Sequence, residues 1–401
     1  MPPPLVFEIN TRCWIRALSD KLARPVTLAT VPDQEFLSWR RSGFTHIWLM
    51  GVWTTGSKSR DIARAQPWLQ TLCLEAFGTF QPDDLVSSPY AIADYVVSES
   101  LGGPAALQHF RSRLRRHGLG LILDFVPNHL GLDHPWVASR PRQFVHSFEP
   151  RPETFQVAAA SRRSSSVNNC DPNPETSPAD ALWIAHGKDP YFPAWIDTAQ
   201  LDFRIPGTRA AMVDVLQSIA DQCDGVRCDM AMLLLNDVFQ GTWRHFPSLT
   251  VPPHDEFWAG AISAVRQIHP GFLFIAEAYW NLEARLQALG FDYVYDKTLY
   301  DILTRRDDPG LQAHLQAVSG RFQPVRFLEN HDEPRIASIL PFDEQKAATI
   351  FLLRQPGMRL LHDGQLTGRR RRDPVQFARY WPEPPDPEIT AFHDALLPFA
   401  G

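Results

Sequence analysis

The chain has 401 residues, 44% hydrophobic and 21% charged, enough to bury one large core or two modest ones. Its formal charge of −6 disfavours nucleic acid as the main partner, and no apolar run reaches membrane-spanning length. Cys13, Cys73, Cys170, Cys223 and Cys228 form no CxxC pair or metal-type spacing, and the opening MPPPLVFEINTR lacks a basic region followed by an apolar stretch, so a reducing cytoplasm is the simplest setting.

In chain order, Leu5 to Ile9 reads as a short apolar strand and Asp33 to Arg41 as a helix, followed by the strand HIWLMGVW from His46 to Trp53. A helix over Pro104 to His117 leads to a strand at Leu119 to Val126. The alternation then stops. From about Leu130 to Gln200 the chain is rich in Pro, Ser, Asn and Arg, too long for an ordinary connection, and reads as an insert on the active-site side. Alternation resumes with a helix at Thr208 to Gln222 and a strand at Gly225 to Met230. A helix near Glu256 to Ile268 then precedes strands starting at Phe272, Phe291, Val325 and Met358. DPEITAFHDALLPF closes the pattern as a last helix, and the basic run Arg369 to Arg372 reads as a solvated loop.

Eight strand-then-helix units predict an α/β fold, a (β/α)8 TIM barrel built from residues 1–129 and 203–401, with 130–202 an irregular inserted domain after the third strand. A doubly wound open sheet is the alternative, but no Gly-rich nucleotide loop follows the first strand.

Four of the apolar runs end in carboxylates and histidines: LGLILDFVPNHLG, DGVRCDMA, GFLFIAEAYW and VRFLENHDEPR. Charged groups at the C-terminal tips of parallel strands are where α/β enzymes carry their chemistry. Arg227 and Asp229 lie two apart and share a strand face, so the cation is expected to keep the carboxyl ionised, as suits a nucleophile; a structural ion pair at the barrel rim is the plainer reading. Glu277 follows an apolar run and precedes Tyr279 and Trp280, a setting that raises a carboxyl pKa and suits a general acid. Asp332 sits between His331 and Glu333, a crowding of ionisable groups that partners or function must offset. His129, taken alone, reads as a hydrogen-bonded structural histidine. Two carboxylates flanking a sugar bond, with a third to stabilise positive charge, are the minimal equipment for retaining glycoside hydrolysis.

The four segments resemble, in order, the four sequence signatures of the α-amylase superfamily, glycoside hydrolase family 13. The resemblance implies Asp229 as nucleophile, Glu277 as acid/base and Asp332 as the carboxylate that stabilises the transition state. It implies Arg227, His129 and His331 as sugar-binding or orienting residues. SPYAIADY resembles a further family segment, making Tyr90 a platform under the reacting sugar, and TAQLDF (Thr198 to Phe203) resembles the end of the family's inserted domain. The expected function is a retaining α-glycosidase on α-linked oligo- or polysaccharides; a transglycosylase with the same three carboxylates and a non-catalytic carbohydrate-binding scaffold are the alternatives. No cofactor is required, although Asn128 corresponds to a calcium ligand of many amylases and Asn168, Asn169, Asp171 and Asp202 are available beside it. Two departures stand out. The family usually carries a C-terminal antiparallel β domain, and the sequence stops soon after the last helix, so that domain is expected to be either absent or truncated, its loss exposing apolar barrel surface that invites a dimer; and LLHDGQLTG has Asp363 and Gln365 where many members have an aromatic-Gly-Gln-Glu pattern.

Overall fold

The apolar run Leu5–Asn10 feeds two cores at once. Val6 and Glu8 point one way, Leu5, Phe7 and Ile9 the other, because side chains alternate along a strand. The same parity governs seven further strands in the computed structural model, which describes residues 3–158, 181–248, 250–251 and 253–399. These are β1 (Leu5–Asn10), β2 (His46–Met50), β3 (Gly120–Phe125), β4 (Gly225–Cys228), β5 (Leu273–Ala276), β6 (Tyr293–Tyr295), β7 (Pro324–Arg326) and β8 (Met358–His362). All pair in parallel, each with its sequence neighbour, and β8 pairs with β1 to close the barrel.

Inside the barrel, Val6, Trp48, Ile122, Ile275, Tyr295, Val325 and Leu360 form one core. Outside it, Phe7, Ile47, Leu49, Leu121, Leu123, Val226, Phe274, Val294 and Leu361 pack against the helical ring. Both faces are dry, which is why the strands read as continuous apolar runs. Gly225 opens β4 because a Cβ there would stand 2.7 Å from Cβ of Leu273 on the adjacent strand.

The helices follow their local signals. Asp33–Arg41 starts after Pro32 with Asp33 and Glu35 in its first turn and ends on Arg40 and Arg41, matching the helix dipole. Gly103–Arg116 has Pro104 at its start and three arginines in its last turn. Phe257–Ile268 buries Phe257, Trp258, Ala261, Ile262 and Val265 along one stripe. Pro387–Leu396 is the helix after β8. The fifth and sixth strands begin one and two residues later than the sequence indicates, at Leu273 and Tyr293.

Between β3 and the helix Pro206–Ala220 the chain is more regular than its composition implies. His129–Gly131 pairs antiparallel with Thr198–Gln200, and His146–Ser147, Ala181–Ala185 and Thr154–Ala158 form a three-stranded antiparallel sheet. Cys13, Cys73, Cys223 and Cys228 are buried free thiols, while Cys170 lies outside the described residues. No helix among the described residues is long and apolar enough to cross a membrane.

Candidate active site

The tips of β4 and β5 meet at one guanidinium. Arg227, 1% exposed, points into the barrel and donates from Nη1 to Asp229 Oδ1 at 2.6 Å, while its Nη2 stands 2.7 Å from Glu277 Oε2. Its cation lies over the rings of Trp48, Tyr90 and Tyr295, at 5.4, 5.5 and 5.9 Å from their centroids. Burial works against its charge, but the surrounding acids, Glu277 first, hold its pKa well above the ordinary value. Just past β4, Met230 takes a left-handed backbone with φ of 43°, a conformation a side chain normally avoids. That turn aims the Met230 N–H at Glu277 Oε2, 2.6 Å away. Tyr279 donates its hydroxyl to Glu277 Oε1 at 2.7 Å.

The two carboxyls differ in electrostatics. Burial raises Glu277 to about 7, with Arg227 opposing and Asp229 and Asp332 reinforcing. Burial also raises Asp229, despite the charge and hydrogen bond of Arg227. This corrects the sequence expectation that Arg227 would leave Asp229 below its ordinary value: the cation acts in that direction, but desolvation of a carboxyl only 6% exposed is larger.

Opposite, after β7, Asn330 Oδ1 accepts the N–H groups of Asp332 and Glu333, at 2.9 and 3.0 Å, and so shapes the turn. Glu329 and Arg335 form a buried pair at 2.8 Å that anchors the loop from behind. His331 Nδ1 lies 2.5 Å from Oε1 of Glu8 on β1, and its Nε2 lies 2.7 Å from the Tyr90 hydroxyl and 3.0 Å from Asp332 Oδ2. The Tyr90 and His331 rings stack at 5.4 Å. Burial alone would lower the His331 pKa; Asp332 and Glu8 outweigh it and raise it well above the ordinary value. Burial would raise Asp332, but His331, by charge and hydrogen bond, brings it down to about 2. Asp124, on β3, accepts from Trp48 Nε1 at 3.1 Å and from the Gly51 N–H at 3.0 Å, closing the barrel beneath.

Tyr90, His129, Asp229, Glu277, His331 and Asp332 all border one cavity of about 270 Å³, with Arg227 beneath it. His129 is held neutral, its pKa lowered by burial to about 4, and its ring packs 5.0 Å from Trp195. Asn128 does not border the cavity. Its side-chain oxygen accepts from Gln200 Nε2 at 3.0 Å and its nitrogen donates to Gln200 Oε1 at 3.2 Å. Asp202 is closed on Arg204 at 2.7 Å, and Asn168, Asn169 and Asp171 lie outside the described residues. Among the described residues no three His, Cys, Asp or Glu side chains converge on a metal position.

Several contributors escaped the sequence reading. Glu8 is a fully buried carboxylate inside an apolar strand, and that oddity was the available signal. Trp195, Asp197 and Thr198 reach the cavity from the insert, and Val375 and Gln376 from beyond β8. The arginine run is not simply solvated. Arg369 pairs with Asp373 at 3.0 Å, Arg370 donates to the Ala337 carbonyl at 2.9 Å, and Arg372 donates to the carbonyl of Asp332.

The family model described as "Alpha amylase, catalytic domain" matches residues 40–372. Alpha-amylase MalA of Haloarcula japonica is 27% identical over 295 residues, 71% of this chain and 37% of that protein. The alpha-1,4-glucan:maltose-1-phosphate maltosyltransferase of Burkholderia pseudomallei is 26% identical over 224 residues, 53% of this chain and 15% of that protein. The chain therefore spans well under two thirds of the length of the curated relatives it matches. The solved alpha-amylase from Lactobacillus plantarum shares the fold, with a TM-score of 0.66 over 99% of this chain and 82% of that one at 19% identity. With a closed eight-stranded barrel and a family match running through most of its length, the chain belongs to the alpha-amylase catalytic-domain family.

Proposed function

We propose that the chain is a retaining α-glycosidase acting on α-glucans or short α-glucosides through a covalent glycosyl-aspartate. The observation that carries this reading is the single Arg227 guanidinium, hydrogen-bonded to Asp229 and ion-paired with Glu277. Both carboxyls contact one guanidinium, and retaining chemistry needs its nucleophile and its acid/base close together, about 5–5.5 Å apart.

In the first step an Asp229 oxygen attacks the anomeric carbon as the bond to the leaving oxygen breaks. Glu277, kept protonated near neutrality, gives its proton to that oxygen. Positive charge develops on the sugar ring next to Asp332, which stays ionised at any working pH. In the second step water attacks the same carbon, its proton passes to the Glu277 carboxylate, and Asp229 is released. Tyr90 offers a ring face to the reacting sugar, and His129 and His331 offer hydrogen-bonding groups to its hydroxyls.

Transfer to a sugar in place of water uses the same groups, and likeness to a maltosyltransferase favours it as the second reading. The test is a panel of maltooligosaccharides, starch, trehalose and sucrose followed by proton NMR. The α-anomer as first product supports retention, and the β-anomer overturns it. A coupled product with excess acceptor sugar selects transfer over hydrolysis.

A further inference from the structure

Three side chains inside the barrel each carry a polar atom with no hydrogen-bond partner among the described residues. Glu8 Oε2 comes from β1, Arg227 Nε from β4 and the Tyr295 hydroxyl from β6. All three residues are buried. The other polar atoms of Glu8 and Arg227 are already placed: Glu8 Oε1 on His331 Nδ1, and Arg227 Nη1 and Nη2 on Asp229 and Glu277. Around them the interior is apolar, with Val6, Trp48, Ile122 and Val325 in one core with Tyr295. A buried donor or acceptor left unpaired costs stability, so atoms of this kind call for an occupant.

The strands bring the three together beneath the cavity. The Arg227 guanidinium lies 5.9 Å from the centroid of the Tyr295 ring, and Arg227 and Glu8 both act by charge on the Tyr295 hydroxyl. Their chemistry selects what fits between them. Arg227 Nε–H only donates, a carboxylate oxygen of Glu8 only accepts, and the Tyr295 hydroxyl does either. An anion there would face the Glu8 carboxylate, and a cation would face the Arg227 guanidinium. A neutral, water-sized group that both donates and accepts satisfies all three, and three polar partners are enough to hold a buried water.

We infer that Glu8, Arg227 and Tyr295 hold one buried water beneath the cavity, and that Tyr295 is a positioning residue for the Arg227 guanidinium. The water accepts from Arg227 Nε–H and from the Tyr295 hydroxyl, and it donates to Glu8 Oε2. Arg227 is then fixed at all three of its nitrogens, two of them on Asp229 and Glu277. Glu8 serves both sides of the site. One oxygen holds His331 beside Asp332, and the other holds, through the water, the cation beside Asp229 and Glu277. Tyr295 does not border the cavity, so it acts without touching substrate. Its part in turnover rests on the glycosidase reading; the water site does not.

Diffraction tests the site, and kinetics tests the role. A high-resolution crystal structure of the wild-type chain soaked in sodium bromide is expected to show one water within about 3.2 Å of Glu8 Oε2, Arg227 Nε and the Tyr295 hydroxyl, with no anomalous peak there. A bromide peak at that position, or a direct hydrogen bond from Tyr295 to Glu8 or Arg227 in its place, overturns the site. Tyr295→Phe keeps the ring against Phe327, 5.2 Å between centroids, and removes only the hydroxyl. In this variant kcat on maltoheptaose is expected to fall about tenfold, with KM within about twofold of wild type, the scale of one hydrogen bond to a charged group. The alkaline limb of the rate should also move to higher pH, because a loosened Arg227 offsets less of the burial that raises Glu277. An unchanged kcat with an unmoved limb overturns the positioning role even if Tm falls, since a purely structural hydroxyl changes stability alone. If the wild type turns over no glucan, the glycosidase reading falls while the diffraction still decides the site.

Discussion

Glu8 Oε1 lies 2.5 Å from Nδ1 of His331, joining the first barrel strand to the loop after the seventh across 323 positions of sequence. Glu8 is fully buried and His331 is 4% exposed, so the carboxylate acts on the imidazole with little screening. Together with Asp332 it keeps His331 cationic through the neutral range.

Glu8→Gln keeps a hydrogen-bond acceptor and removes the charge, so the His331 pKa falls toward its ordinary value. The variant is expected to lose about tenfold or more in kcat/KM, an effect on the scale of one charge-assisted hydrogen bond, and the loss should grow as pH rises from 5 to 8. A rate profile parallel to wild type would count against the coupling. Stability follows the sign of a raised folded pKa. The contribution of His331 is full below its unfolded value of about 6.5 and fades as pH rises toward the folded value, so the Tm gap between wild type and Glu8→Gln should narrow from pH 5 to pH 8.

Asp229→Asn should reduce turnover to background, because an amide cannot form the glycosyl ester. The fold should survive, since burial already disfavours the charge of this carboxyl. Near-normal turnover, measured on maltooligosaccharides with Tm within a few degrees of wild type, would exclude Asp229 as nucleophile.

Glu277 at about 7 sets an alkaline limit, because the acid must carry its proton in the first step. The rate of that step is expected to fall above about pH 7. Glu277→Gln should lose roughly 10²–10⁴-fold on glucans and much less on α-maltosyl fluoride, whose leaving group needs no proton. Equal losses on the two substrates would remove the acid role.

Trp258 supports the site from outside the barrel. It is fully buried, and its Nε1–H donates to the Ala231 carbonyl at 2.8 Å, two residues from Asp229. Trp258→Ala should cost about 3–5 kcal/mol from the cavity it leaves. Trp258→Phe keeps most of the packing but orphans the carbonyl, with an expected cost of about 1–3 kcal/mol by urea unfolding. A cost under about 0.5 kcal/mol for Trp258→Phe would mean that water or a backbone shift replaces the bond.

By itself the sequence determined the barrel. Runs such as LVFEIN and HIWLM must be dry on both faces, and eight of them alternating with helical stretches leave few other closures. It also marked Asp229, Glu277 and Asp332 as candidates, because charge at the end of an apolar strand is conspicuous wherever the chain then goes. What only the tertiary structure decided are the relations between distant strands. Glu8 looks like an intruder in a core strand until His331 arrives from β7. Asn128 and Gln200, 72 positions apart, close on each other through two side-chain hydrogen bonds. The pKa order of the carboxyls belongs here too, since burial and Coulomb attraction act through space, and strand parity says which face a residue takes but not what waits there.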